Sequence, residues 1–367
     1  MTKRREHAFL SGSGSSRWLT CEVSPWREEP FPDNAGEAAK RGTALHTLRA
    51  HFLKGESLPD MVDGYDTASL WPEIAEHSEA LKATLALADE VHIEKPLLIE
   101  DVTGEPDAQG TPDLVYVKGN TLVVEDLKTG HVRVDASDNS QLMIYAAAAL
   151  DAYDPLGMVE IVELRISQGE AGSIAVYTVA EVHDVKAEIL AKGKRILTHA
   201  DSLVATPELN ACRYCKAAAT CPELAALVRE TTASVPDDIQ KLDVMMQTIP
   251  LVEVWIKAVQ AEVYRRLEAG DEFPSYMLGY GREGNRKWAS EEEVEKLRKK
   301  TRVLQDQVYE RVLMSPAKVQ KVLKDSPETW GKFEALVERS AAKLCVLPKS
   351  KGAKAGKTLN EMFEKED

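Results

Sequence analysis

Two aspartates and a lysine in this 367-residue chain are spaced so that one β-hairpin would bring them together. Residues 110–130 read G-T-P-D-L-V-Y-V-K-G-N-T-L-V-V-E-D-L-K-T-G. Two β-rich runs, 114–117 and 122–127, flank Lys118-Gly119-Asn120-Thr121, and Gly and Asn tolerate the positive φ of a tight hairpin turn. With Gly119 and Asn120 at the centre of the turn, Asp113 falls opposite Asp126, Cβ atoms about 4.5–5.5 Å apart. Lys128, two residues beyond Asp126, shares that face of the strand. Opposed like charges are unfavourable unless something cationic lies between them. The arrangement therefore suits a hard divalent cation held beside a reacting group. Gln141 and Tyr145 follow at i, i+4 spacing, one face of a helix.

Cysteine spacing gives a second signal. Cys212-x2-Cys215-x5-Cys221-Pro222 lies late in the chain, and Cys21 stands alone near the start. A C-x2-C pair grips one metal centre, and a cysteine followed by proline recurs at iron–sulfur ligands. On spacing alone zinc fits as well, because four thiolates suit tetrahedral Zn²⁺. Cys345 lies outside the pattern and reads as a free core cysteine.

Asp113, the run Asp126-Leu127-Lys128-Thr129-Gly130, and Gln141 with Tyr145 together resemble the PD-(D/E)XK nuclease superfamily, in its RecB-like branch. The resemblance implies a mixed sheet flanked by helices and metal-dependent cleavage of DNA. It implies that Asp113, Asp126 and the Leu127 carbonyl bind Mg²⁺ or Mn²⁺. Lys128 would position or activate the attacking water, and Gln141 and Tyr145 would line the substrate site. The segment Ala38–His46 resembles the branch's first motif, which places His46 in the metal shell. Neutral imidazole suits Mn²⁺ better than Mg²⁺. Glu94, in V-H-I-E-K-P, resembles the family's additional acid. An iron–sulfur subgroup, AddB-type, has one cysteine before the nuclease core and three after it. Cys21, Cys212, Cys215 and Cys221 bracket the motifs in that order, so the resemblance implies a [4Fe–4S] cluster, with Zn²⁺ the alternative.

These residues need elements to carry them. The sequence predicts a short helix around Cys21 capped by one of Ser11–Ser16, then a Pro-rich linker over 25–33. Helices are predicted at 36–53, 70–90, 140–150 and 181–200, and strands at 91–99, at both hairpin arms, at 158–166 and at 174–179. That alternation predicts an α/β core, a mixed sheet flanked by helices, over residues 1–230. Beyond 230 the character changes. Apolar residues at helical spacing over 237–270 predict one or two long helices. Residues 273–288, with Gly279, Gly281 and Gly284, read as strands around a loop, and 291–338 again as helix. A mainly helical domain thus spans 231–345, and 346–367 is a polar, basic and acidic tail. The whole order, a nuclease-like half before a helical half, resembles an uncharacterised phage-encoded family.

Composition bounds the rest. A net charge of −14 is unlike a protein that coats nucleic acid by neutralising phosphates. A nuclease can meet phosphates locally instead, with metal ions and a basic groove. Arg282, Arg286, Lys287 and the run 296–302 are candidate contacts, although Glu291–Glu295 matches that run as a solvated helix face. No apolar run spans a membrane and no signal peptide is evident, so the expected compartment is the cytoplasm, a bacterial host's if phage-encoded. The expected function is an exonuclease acting on DNA ends in recombination, repair or phage replication. A recombination or replication protein, such as a single-strand DNA-binding or annealing protein, is the expected partner. A structure-specific endonuclease and a non-catalytic DNA-end-binding or scaffold protein are the alternatives.

Overall fold

The structure, a computed structural model, describes residues 8–32, 36–130, 132–169, 172–198 and 202–279, then 296, 299–300, 316–334 and 337. It divides into two units, 1–279 and 280–367. In the first, α1 (Ser15–Thr20), α2 (Ser24–Glu28) and α3 (Glu37–Lys54) precede a small ribbon, β1 (Met61–Val62) and β2 (Tyr65–Asp66). A short α4 (Thr67–Leu70), a 3-10 turn (Trp71–Glu73) and α5 (Ala75–Leu85) follow. Next come β3 (Glu90–Ile93), β4 (Leu97–Leu98), α6 (Glu100–Thr103), β5 (Gln109–Gly110), β6 (Leu114–Lys118) and β7 (Thr121–Leu127). Then α7 (Ser140–Tyr153), β8 (Ile161–Ser167), β9 (Ser173–Thr178) and α8 (Val179–Thr198) complete the sheet region, and α9 (Leu209–Cys212), α10 (Pro222–Thr232) and α11 (Ile239–Glu268) close the unit.

The main sheet is five-stranded and mixed, in the order β3-β6-β7-β8-β9. Only β7 and β8 run parallel, and α7 supplies the crossover that parallel neighbours require. The β6–β7 hairpin has the expected register, from Lys118 opposite Thr121 to Leu114 opposite Glu125. Of the two turn residues only Gly119 takes a positive φ, 60°.

Strand β7 is buried along both faces, which is why it reads as a near-continuous apolar run. One face, with Val115, Leu122 and Val124, packs on Leu142, Ile144 and Ala146–Ala149 of α7. The other, with Leu114, Tyr116 and Val123, packs on Leu81 and Leu85 of α5. Burying each such leucine or isoleucine contributes about 1.5–3 kcal/mol. The start of α7 is fixed by Asn139, whose side chain accepts the Leu142 N–H at 3.1 Å, a cap worth about 1 kcal/mol. That cap matters here because Gln141 sits in the first turn of the helix.

Several local expectations are corrected. The strand predicted over 91–99 breaks at Glu94, whose φ is 48°. Its N–H donates to the Asp113 carbonyl at 3.0 Å, and β4 then leaves the sheet to pair with β5. Pro96, in the break, has no N–H to offer a ladder. Cys21 is not inside α1 but follows it, and the N-cap position is Gly14, which offers no side-chain cap. Part of the predicted linker is α2, with Pro25 in a first turn where its missing N–H costs nothing. The stretch from 70 to 90 is split by the Pro72 3-10 turn, and β8 starts at Ile161.

Helix α11 is single, running through Pro250. Its Leu251, Val254, Trp255 and Ala258 pack around Cys212, Ala218 and Leu224. By packing, α11 goes with the first unit, which runs to Gly279, beyond the change of sequence character at 230. Residues 271–279 hold no strand.

In the second unit α12 (Pro316–Val322) and α13 (Pro327–Glu334) pack together. Gly281, Gly284, Arg282, Arg286, Lys287, Cys345 and the tail lie outside the described residues, and the run 296–302 is described only at 296, 299 and 300, all helical. No helix among the described residues is long and apolar enough to cross a membrane.

Candidate metal centre

The open end of the β6–β7 hairpin gathers side chains from three elements. Helix α3 is anchored there by Ala44, Leu45 and Leu48, which pack on Leu127 at the end of β7. His46, between them, brings Nδ1 to 3.0 Å from Asp113 Oδ1. Glu94, turned out of β3 by its left-handed backbone, completes the set. One ligand atom each from His46, Glu94 and Asp113 lies within 4.8 Å of the others. A non-glycine residue held at positive φ costs on the order of 1–3 kcal/mol, a conformation that persists where the surroundings require it.

Asp126 is brought near but belongs to a second chain of contacts. It is 4 % exposed, and its Oδ1 accepts from Gln141 Nε2 at 3.1 Å. Lys128 Nζ lies 2.7 Å from Asp126 Oδ2 and donates to Gln141 Oε1 at 3.2 Å. The Lys128 ammonium is thus the partner that the buried Oδ2 has among the described residues. Among the described residues, Asp126 does not join the three-ligand group. Leu127, whose carbonyl was expected as a ligand, donates its N–H to Asp113 Oδ2 at 2.6 Å. Tyr145 is 5 % exposed and lies beneath the site. A Cβ on Gly110 would come within 2.6 Å of its ring, and one on Gly12 within 2.9 Å. Gln141, not Tyr145, is the member of the pair that touches the acids.

The electrostatics are those of a pocket with too much negative charge. Burial, then the charge of Asp113, pushes the Glu94 carboxyl up to about 7. Burial and Asp113 also raise Asp126, against the opposing pull of Lys128 and His46. Burial lowers His46, but the hydrogen bond and charge of Asp113, with Asp126 and Glu94, raise it overall. Burial beside the same acids pushes Tyr145 up to about 12. A cation is what such a pocket lacks. A nitrogen and carboxylate oxygens at ligand spacing fit Mn²⁺ or Mg²⁺.

The four cysteines also converge. Cys21, Cys212, Cys215 and Cys221 line one small apolar cavity between the α1–α2 turn and the α9–α10 segment. Burial raises Cys21, and pushes Cys212 to about 11 and Cys215 to about 12. Donors face the sulfurs: Arg27 Nη1 is 3.2 Å from Cys221 Sγ, and the Thr206 N–H is 3.4 Å from Cys21 Sγ. No three of these sulfurs lie within 4.8 Å of one another among the described residues.

Sequence reasoning missed one buried network. Glu125, 1 % exposed, accepts at Oε1 from Arg49, from the Ser167 hydroxyl at 2.6 Å and from His77 Nε2 at 3.1 Å. A second acid next to Asp126 at the end of the apolar run of β7 was the available signal. Its partners, 76, 48 and 42 residues away, carried none.

Residues 7–354 match the family described as Protein of unknown function (DUF2800), and the chain belongs to that family. A solved structure, titled Crystal structure of SSO0001, is similar at 13% identity over 55% of this chain and 95% of that one, with a TM-score of 0.27. Nothing about fold or activity follows from a likeness that slight.

Proposed function

We propose that this protein is a divalent-metal-dependent deoxyribonuclease with a PD-(D/E)XK centre of RecB-like type, acting as an exonuclease at DNA ends. The observation that carries the reading is the meeting of His46, Glu94 and Asp113 at ligand spacing beside the Asp126–Gln141–Lys128 chain. His46, Glu94, Asp113 and Asp126 would hold Mg²⁺ or Mn²⁺, which when bound lowers the pKa of a water and neutralises charge on the phosphate. Lys128 brings a positive donor to the reacting phosphate or its water. Asp126 and Gln141 fix its ammonium from two sides, so little rotamer freedom remains to be lost. Gln141 bridges acid and lysine, which keeps the two at one separation. The preference for ends rests on the RecB-like pattern of Gln141 and Tyr145, and the biological setting on recombination, repair or phage replication.

The cysteines would hold a [4Fe–4S] cluster that ties the α1–α2 segment to α9 and α10. The order of one cysteine before the core motifs and three after it, which resembles the iron–sulfur subgroup, favours iron–sulfur over zinc.

The test is digestion of end-labelled linear and closed circular DNA, single- and double-stranded, in Mg²⁺ or Mn²⁺, by anaerobically purified protein with Asp126→Ala beside it. Metal-dependent loss of linear DNA alone, absent in the variant, is the expected result. Cutting of circles would replace exonuclease by endonuclease. No cleavage by intact, iron-loaded protein would overturn the hydrolytic reading and leave DNA-end binding or scaffolding.

A further inference from the structure

Beside Lys128 lies a cleft of about 370 Å³ that the centre itself does not use. His77, Lys128, Thr129 and Arg133 line it. The lining acid, Glu73, is ion-paired to Arg41, so its charge is already matched. Lys128 is matched in turn by Asp126, which leaves Arg133 as the lining cation without a partner among the described residues, in a chain whose net charge is −14. Among the described residues, neither the Arg133 guanidinium nor the Thr129 hydroxyl has a protein partner. His77 is different, because its Nε2 is pinned 3.1 Å from Glu125, which Arg49 and Ser167 hold in turn. A side chain that is 42% exposed is thus fixed by a buried anchor. Such an anchor sets ring orientation before any ligand arrives.

We propose that this cleft binds a phosphate of the DNA strand next to the bond that is cut, with Arg133, Thr129 and His77 as its ligands. The proposal rests on the nucleolytic reading above. Lys128 is shared between cleft and centre, since it lines the cleft and its Nζ lies 2.7 Å from Asp126 Oδ2. A strand whose reacting phosphate meets Lys128 at the centre runs next along the cleft that the same lysine lines. Glu125 acts only through His77, as a positioning residue.

The experiment is anisotropy of a fluorescein-labelled 20-nucleotide single strand against salt concentration, in EDTA, with cleavage assayed in parallel in Mn²⁺. Wild type, Arg133→Ala, Arg133→Lys and His77→Gln are compared. Loss of the Arg133 contact is expected to weaken binding several-fold and to reduce the log–log salt slope by about 0.7. Arg133→Lys should restore the slope, and His77→Gln should weaken binding without unfolding the chain. Inorganic phosphate at millimolar concentration should not displace the strand. Displacement would make the cleft a free-phosphate site and overturn the proposal. An unchanged affinity and slope in Arg133→Ala, in a protein that cuts DNA, would overturn the cleft assignment alone. The expected slope change in a protein that cuts nothing would sustain the cleft and remove the nuclease. No binding at all would remove both.

Discussion

Glu94 and Asp126 hold the charge that a cation would relieve, and their substitution separates function from folding. Asp126→Asn removes a buried carboxyl already pushed toward its neutral form. Cleavage should fall by at least a hundredfold while the metal-free melting temperature stays level or rises. Wild type in Mn²⁺ at 100 times the dissociation constant should gain about 2.7 kcal/mol, read as a rise in melting temperature. Loss of cleavage with a large drop in metal-free stability would instead make Asp126 structural. Glu125 behaves in the opposite sense. Burial alone would raise it, but the His77 hydrogen bond, the charge of Arg49 and the Ser167 hydroxyl outweigh burial and hold it at about 2, below its ordinary 4.5. A carboxyl lowered by folding stabilises fully above the unfolded value and loses that contribution as pH falls through the folded one. Urea midpoints should therefore drop between pH 4.5 and 2. The drop should be shallower in Glu125→Gln, and equal slopes would remove this linkage. Arg49→Ala, which strands a buried charge, should cost about 3–5 kcal/mol at neutral pH.

At the scale of elements, packing against backbone sets the tightest tolerances. Helix α8 crosses α6 so closely that a Cβ on Gly193 would stand 1.9 Å from the Thr103 carbonyl oxygen. Gly193→Ala should cost about 1–3 kcal/mol by chemical denaturation, and a neutral substitution would mean that α6 yields freely. The hairpin register was legible in the sequence because turn chemistry and strand alternation are local, so counting from Gly119 put Asp113 and Asp126 near one another. His46, Glu94 and Gln141 were legible only as a resemblance, since nothing in their spacing shows that α3, the β3 break and α7 meet. The Arg49–Glu125–His77 network was not legible, because its partners are chosen by the packing of α3 and α5 on the sheet. Nor was the break at Glu94, where one left-handed residue turned a predicted nine-residue strand into two short ones.

Across the whole chain, the cluster proposed at the cysteine site and the packing of α11 would tie the first unit together. Cys21 and Cys212–Cys221 lie at opposite ends of that unit's core sequence, so a bound cluster closes a long loop, and its binding energy is folding energy. Cys215→Ser should lose iron, measured by metal analysis, and melt well below wild type. A folded variant that keeps its iron would sink the assignment, and stoichiometric zinc in wild type would replace it. The packing of Trp255 and Leu251 on Leu224 gives a companion expectation. A chain ending at 279 should melt cooperatively, while one ending at 232 should expose that apolar face and aggregate. The phosphate cleft proposed beside Lys128 would let a chain of net charge −14 meet a polyanion by local arrangement instead of overall charge. All of this turns on whether the hairpin acids, Glu94 and His46 form one cation site. Mn²⁺ binding followed by electron paramagnetic resonance, on wild type and Asp113→Asn, measures that without assuming any substrate. Saturable binding by wild type that the substitution weakens at least tenfold is the result this account requires. Identical isotherms for the two proteins would contradict it.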